Sequence, residues 1–77
     1  MITADKLREL MSLKAEGLTQ LIQKQGYKED RFSSAMFTGI TNGGQLCFHC
    51  VYPVEGGTDS TKVFLTVNRD GSVSAEY

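Results

Sequence analysis

The hydrophobic pattern of this chain changes its period once, near Tyr27, and that switch limits the fold more than any other feature. Through residues 3–25, Leu7, Leu10, Met11, Leu18, Leu21 and Ile22 recur at spacings of three, four and seven, with Lys, Glu and Gln between them, as in an amphipathic helix. From residue 32 onward the repeat is two: runs over 32–41, 45–52, 62–68 and 73–77 read as strands separated by glycine-containing punctuation. In 77 residues, such a pattern leaves room for one core between one helical layer and one sheet.

The ends of the helical run are marked. Thr3 or Asp5 can accept from the free N–H groups of the first turn, and Gly26 suits the left-handed residue that follows a helix. Gly17 costs about 1 kcal/mol relative to alanine. A single helix is expected; a break near Glu16 and Gly17 is the alternative, and two shorter helices could cover both faces of the sheet. Lys14 falls on the apolar stripe, where its methylene stem can lie along the sheet with the amine in water.

Turn chemistry sets which side chains share a face. Asn42-Gly43 fits a two-residue turn in which both residues need positive φ, pairing Gly39 with Leu46, Phe37 with Phe48, Ala35 with Cys50 and Ser33 with Tyr52. Arg69-Asp70-Gly71 fits a three-residue loop, pairing Val67 with Val73, Leu65 with Ala75 and Val63 with Tyr77. Residues 53–61, with Gly56-Gly57, Asp59 and Ser60, read as a long, mobile polar loop. The expected fold is a two-layer α+β domain spanning residues 1–77: an N-terminal helix on one face of a four-stranded antiparallel meander. Leu7, Met11, Leu18, Leu21 and Ile22 would pack on Phe37, Leu46, Phe48, Cys50, Val63, Leu65 and Val67.

The same parity puts Phe32, Met36, Ile40, Cys47, His49, Val51 and Phe64 on the opposite face, among Ser34, Thr38, Gln45, Lys62 and Thr66. A solvated sheet face is mostly polar; this one mixes in large apolar groups that a single helix cannot also cover.

Bulk properties narrow the function classes. Nine acidic and eight basic residues leave a net charge of -1, without the basic footprint that double-stranded DNA requires. No apolar run reaches the roughly 20 residues needed to cross a bilayer, and no leader pattern follows Met1. The chain reads as a complete cytoplasmic domain with reduced thiols, because Cys47 and Cys50 are too close to close a useful loop.

Cys47-Phe48-His49-Cys50 is the densest group of potential ligands or nucleophiles. Zinc wants about four ligands, usually in two pairs, and strand alternation sends Cys50 to the face opposite Cys47 and His49. Cys47 and His49 lack an orienting third group for nucleophilic catalysis, and the C-x-x-C spacing lacks the strand-to-helix setting that lowers a thiol pKa. Glu29-Asp30 and Glu55 with Asp59 read as solvated loop charges, and the glycines form no nucleotide fingerprint. No catalytic residue, metal or cofactor is therefore expected.

What remains is the uncovered face. The sequence points to a non-catalytic protein-protein interaction domain, a stoichiometric modulator or inhibitor of a larger protein, self-associating as a homodimer through that face. Met36, Ile40, Val51 and Phe64 would form the apolar centre, with His49, Cys47 and Phe32 around them. Pairing through the edge strand 73–77 is a second route, and the 53–61 segment a third surface. The alternative is single-stranded nucleic acid, with bases on Phe32, His49 and Phe64 and a phosphate on Lys62.

Overall fold

A computed structural model describes residues 3–27 and 31–76. Two helices, α1 (Ala4–Met11) and α2 (Ala15–Lys24), precede four strands, β1 (Ser34–Ile40), β2 (Leu46–Val54), β3 (Gly57–Val67) and β4 (Val73–Glu76). The strands form one antiparallel sheet in the order β1-β2-β3-β4, the expected two-layer α+β meander. The expected Val63–Tyr77 pair, and Glu29-Asp30, lie outside the described residues.

The helical region is broken, and not at Gly17. Thr3 caps α1, its hydroxyl accepting from the Lys6 N–H at 3.1 Å. The chain leaves helical geometry at Ser12 and re-enters after an extended Lys14. In a straight helix, Lys14 would lie about 40° from both Leu10 and Leu18 around the axis, in the middle of the buried stripe. The break turns Lys14 into solvent and lets Leu10, only 4% exposed, join Leu18 and Ile22 in one core. Gly17 lies inside α2, where a Cβ would stand 2.9 Å from Leu13 Cδ2. The two helices do not divide between the faces of the sheet.

Phe48 occupies the centre of this core, fully buried, with the ring of Phe37 edge-on at a centroid distance of 5.6 Å. Leu46, Cys50, Val63, Leu65 and Ala75 surround it from the same face of the sheet. Phe32 also belongs to this core, at 5% exposure, which corrects its expected place on the open face. It precedes β1, so strand parity does not govern it. Thr19, on α2, donates its hydroxyl to the Ala15 carbonyl at 2.8 Å and accepts the Phe32 N–H at 3.2 Å, drawing the incoming chain to the helix side.

The first hairpin departs from expectation twice. Its loop has three residues, Asn42 to Gly44: the Thr41 N–H donates to the Gln45 carbonyl at 2.9 Å, and Gly44 takes φ +83°. A β-bulge then sets Thr38 and Gly39 together opposite Cys47, with Gly39 at φ +155°, and the extra residue cancels the odd loop. Phe37↔Phe48 and Ala35↔Cys50 therefore pair as expected. Between bulge and turn the parity is reversed: Ile40 pairs with Leu46 and shares its parity, so it stands, 56% exposed, at the end of β1 outside the row of Met36. The second hairpin follows its expected register, with the Asn68 N–H donating to Ser72 and Leu65↔Ala75 and Val67↔Val73 paired.

Residues 53–61 are not a loop. β2 and β3 continue in unbroken register to Val54↔Gly57 around a two-residue turn, Glu55-Gly56. Beyond Val51 this hairpin extends past β1 as a two-stranded arm. At about 3.4 Å per residue, the 11 residues of β3 account for most of the 43 Å long axis.

Phe48→Ala should remove about 3–5 kcal/mol, a loss that urea unfolding would register as loss of the folded baseline or a much lower midpoint. Gly39→Val, which puts a β-branched residue at φ +155°, should destabilise by roughly 1–3 kcal/mol in the same assay.

Candidate open sheet face

The face of the sheet turned away from the helices is built in cross-strand rows. Ser34, Val51 and Ser60 form one; Met36, His49 and Lys62 the next; Cys47, Phe64 and Glu76 a third; Thr66 and Ser74 a fourth. Alternation along β2 fixes this arrangement: Leu46, Phe48 and Cys50 are buried, while Cys47 and Val51 are half-buried and His49 is exposed. Among the described residues Met36 is the most exposed large apolar side chain, at 68%, and Phe64 is half-buried.

Polar groups frame the apolar ones and are themselves tied down. Gln45, just before β2, donates through Nε2 to Thr66 Oγ1 and to Glu76 Oε1, each at 3.0 Å, linking the start of β2 to β3 and β4 across this face. The Thr38 hydroxyl donates to the Cys47 carbonyl at 3.1 Å beside the bulge. At the far end, Asn68 Nδ2 donates to the Ser72 and Ser74 hydroxyls, each at 2.9 Å. Asp70 accepts from both the Ser72 hydroxyl and the Ser72 N–H, which hold its carboxyl below the ordinary carboxylate range.

Of the residues expected on this face, the structure brings together Met36, His49, Val51, Phe64, Cys47 and Lys62; Phe32 is in the core and Ile40 stands apart at the strand end. Cys47 and His49 share the open face, and Cys50 lies on the buried one. Among the described residues, no three His, Cys, Asp or Glu side chains are grouped to hold a metal. A shallow recess of about 370 Å³ lies where Gln25 and Tyr27 meet Thr66, Asn68, Ser74, Ala75 and Glu76. No helix of the described residues is long and apolar enough to cross a membrane.

Sequence reasoning missed the exposed β2–β3 arm, where Val54 is 43% exposed. Its signal was present in Glu55-Gly56, two residues able to close a tight turn between Val54 and the β-branched Thr58 and Thr61.

Compared with protein families, with curated proteins and with solved structures, the chain shows no significant match.

The two thiols differ in environment. Burial, reinforced by the neighbouring Cys47, pushes the Cys50 thiol up from the ordinary 9.0 to about 11. Iodoacetamide at pH 8 should therefore modify Cys47 in the folded protein and Cys50 only after unfolding, as peptide mapping would show. Because the folded-state value is raised, the stability contributed by a neutral Cys50 is complete below pH 9.0 and declines as pH rises towards about 11. Urea midpoints should fall over that window in the natural chain, and by less in Cys50→Ala.

Proposed function

We propose that this protein is a non-catalytic protein-interaction domain that acts as a stoichiometric modulator or inhibitor of a larger protein, through the open face of its sheet. One observation carries the reading: Met36, Val51 and Phe64 stand with Cys47 and His49 on a face that neither helix covers. An apolar centre inside a polar frame is how binding surfaces exclude water from their energetic core. Ser34, Thr38, Ser60, Lys62, Thr66 and Glu76 supply that frame.

A second copy is one partner for this face. Two sheets pack at about 10 Å, and a homodimer would give two small domains a shared core. Lys62 and Glu76 supply opposite charges on the same face, so a two-fold contact can match cation to carboxylate. Two reduced thiols fit a cytoplasmic address.

Single-stranded nucleic acid is the competing occupant, favoured by the adjacency of His49 and Lys62 in one row with Phe64 in the next. The burial of Phe32 removes one of its three stacking groups. A net charge of -1 also supplies little counterion release.

Met36→Lys changes an exposed side chain, so circular dichroism should show an unchanged fold, while affinity for a protein partner should drop at least tenfold, about 1.4 kcal/mol or more. Fluorescence anisotropy with labelled oligonucleotides at low salt should show no binding; binding abolished by Phe64→Ser with Lys62→Ala would replace this reading with the nucleic-acid one.

A further inference from the structure

β3 is 11 residues long, but β4 pairs only with its last part, residues 64–67. Over residues 57–63, no described residue pairs with its outer edge. The hydrogen-bond pattern shows which groups lie there. The Val51 carbonyl accepts from the Ser33 N–H at 2.7 Å, so Val51 turns its backbone groups toward the β1 side and away from β3. Its partner Ser60 is therefore in a non-hydrogen-bonded pair and presents its own N–H and C=O outward. By alternation Thr58 and Lys62 do the same. The Ser60 N–H is taken up by its neighbour's side chain, Asp59 Oδ1, at 2.8 Å, a local substitute for a missing strand.

The other edges carry devices that block pairing. β1 has its bulge at Thr38 and Gly39, β4 is four residues long, and the outer part of β2 contains Pro53. The β3 edge is long, regular and without proline or bulge. An extended strand can satisfy the whole of such an edge at once, and it must fit a ledge that ends where Glu76 of β4 meets Phe64.

We infer that the occupant is a second copy of the chain, entering with the same edge. The ledge is residues 57–63, and the arm that would enter it is the same segment with the same unpaired groups. In a two-fold antiparallel pair centred on Ser60, Thr58 of each copy lies opposite Lys62 of the other, and Asp59 opposite Thr61, so no like charges are opposed. The Ser60 N–H then exchanges its carboxylate acceptor for a backbone carbonyl. The result is one continuous sheet that holds the four strands of each chain and is six strands wide, because each β4 lies in line with the partner's β3 on the same edge, with both open faces on one side. The pairing is independent of the face proposed above and leaves it free.

Ser60→Pro removes the outward donor without touching the β2–β3 ladder, at a kind of position where strands tolerate proline. Sedimentation equilibrium from micromolar to near-millimolar concentration should show a dimer for the natural chain and for Met36→Lys, and at least tenfold weaker association for Ser60→Pro. A dimer that survives Ser60→Pro, or a natural chain that stays monomeric throughout, overturns the inference. A dimer lost in Met36→Lys but kept in Ser60→Pro assigns self-association to the face instead. If Ser60→Pro fails to fold, hydrogen exchange on the natural chain decides: protection of the Thr58 and Lys62 amides that rises with concentration supports edge pairing, and rapid exchange at every concentration overturns it.

Discussion

Phe48 holds the structure together. It is fully buried on the strand that pairs with both β1 and β3, and its edge-to-face contact with Phe37 ties the first hairpin to the centre of the core. Once Phe48 faces the helices, alternation along β2 puts Leu46 and Cys50 beside it and forces Cys47, His49 and Val51 to the other side. Both helices contribute to the one core on the Phe48 side. The open face thus follows from both helices of the described residues packing on the Phe48 side, and its mixed composition is the part that burial does not explain.

The order and type of the strands were legible because one of their faces is buried, which writes period two into the sequence. The β2–β3 arm was not legible for the converse reason. Beyond Tyr52 neither face of the ribbon is covered, so residues 53–60 are all exposed and polar residues serve on both sides. Without a buried face there is no alternation to read, and Gly56-Gly57 looked like loop chemistry. Phe32 escaped for a related reason: it lies before the strand begins, where the Thr19 hydroxyl decides its direction from thirteen residues away. The helix break was hidden because no residue at Ser12 to Lys14 breaks helices by propensity. What the break achieves is tertiary: it takes Lys14 out of the buried stripe and into solvent.

The register of β1 was anticipated through two compensating departures. Asn42-Gly43-Gly44 supports loops of two or three residues equally well by composition, since either needs a glycine or asparagine at positive φ. The three-residue loop shifts every pair by one, and the bulge shifts them back. The only trace of the bulge in the sequence is Gly39, an isolated glycine inside a strand. The error therefore survives only between the bulge and the turn, where it moves Ile40 out of the candidate surface. Met36, on the far side of the bulge, keeps its place opposite His49.

Face and edge make different demands on a partner. The face offers apolar area with a polar frame, and in the proposed role its affinity would depend on shape and on the removal of Met36 and Phe64 from water. The edge offers backbone groups, which any extended strand can meet, so in the proposed pairing selectivity would rest on length, two-fold symmetry and the charges at Asp59 and Lys62. A small domain gains little from leaving both surfaces open, because each exposes groups that association would satisfy. Asp59 reduces that cost at the edge by capping the Ser60 N–H, and nothing among the described residues performs the same service for Met36. Under the proposals above, the face would gain from any partner that covers Met36, a second copy included, whereas the edge would suit only a partner that brings an extended strand of its own.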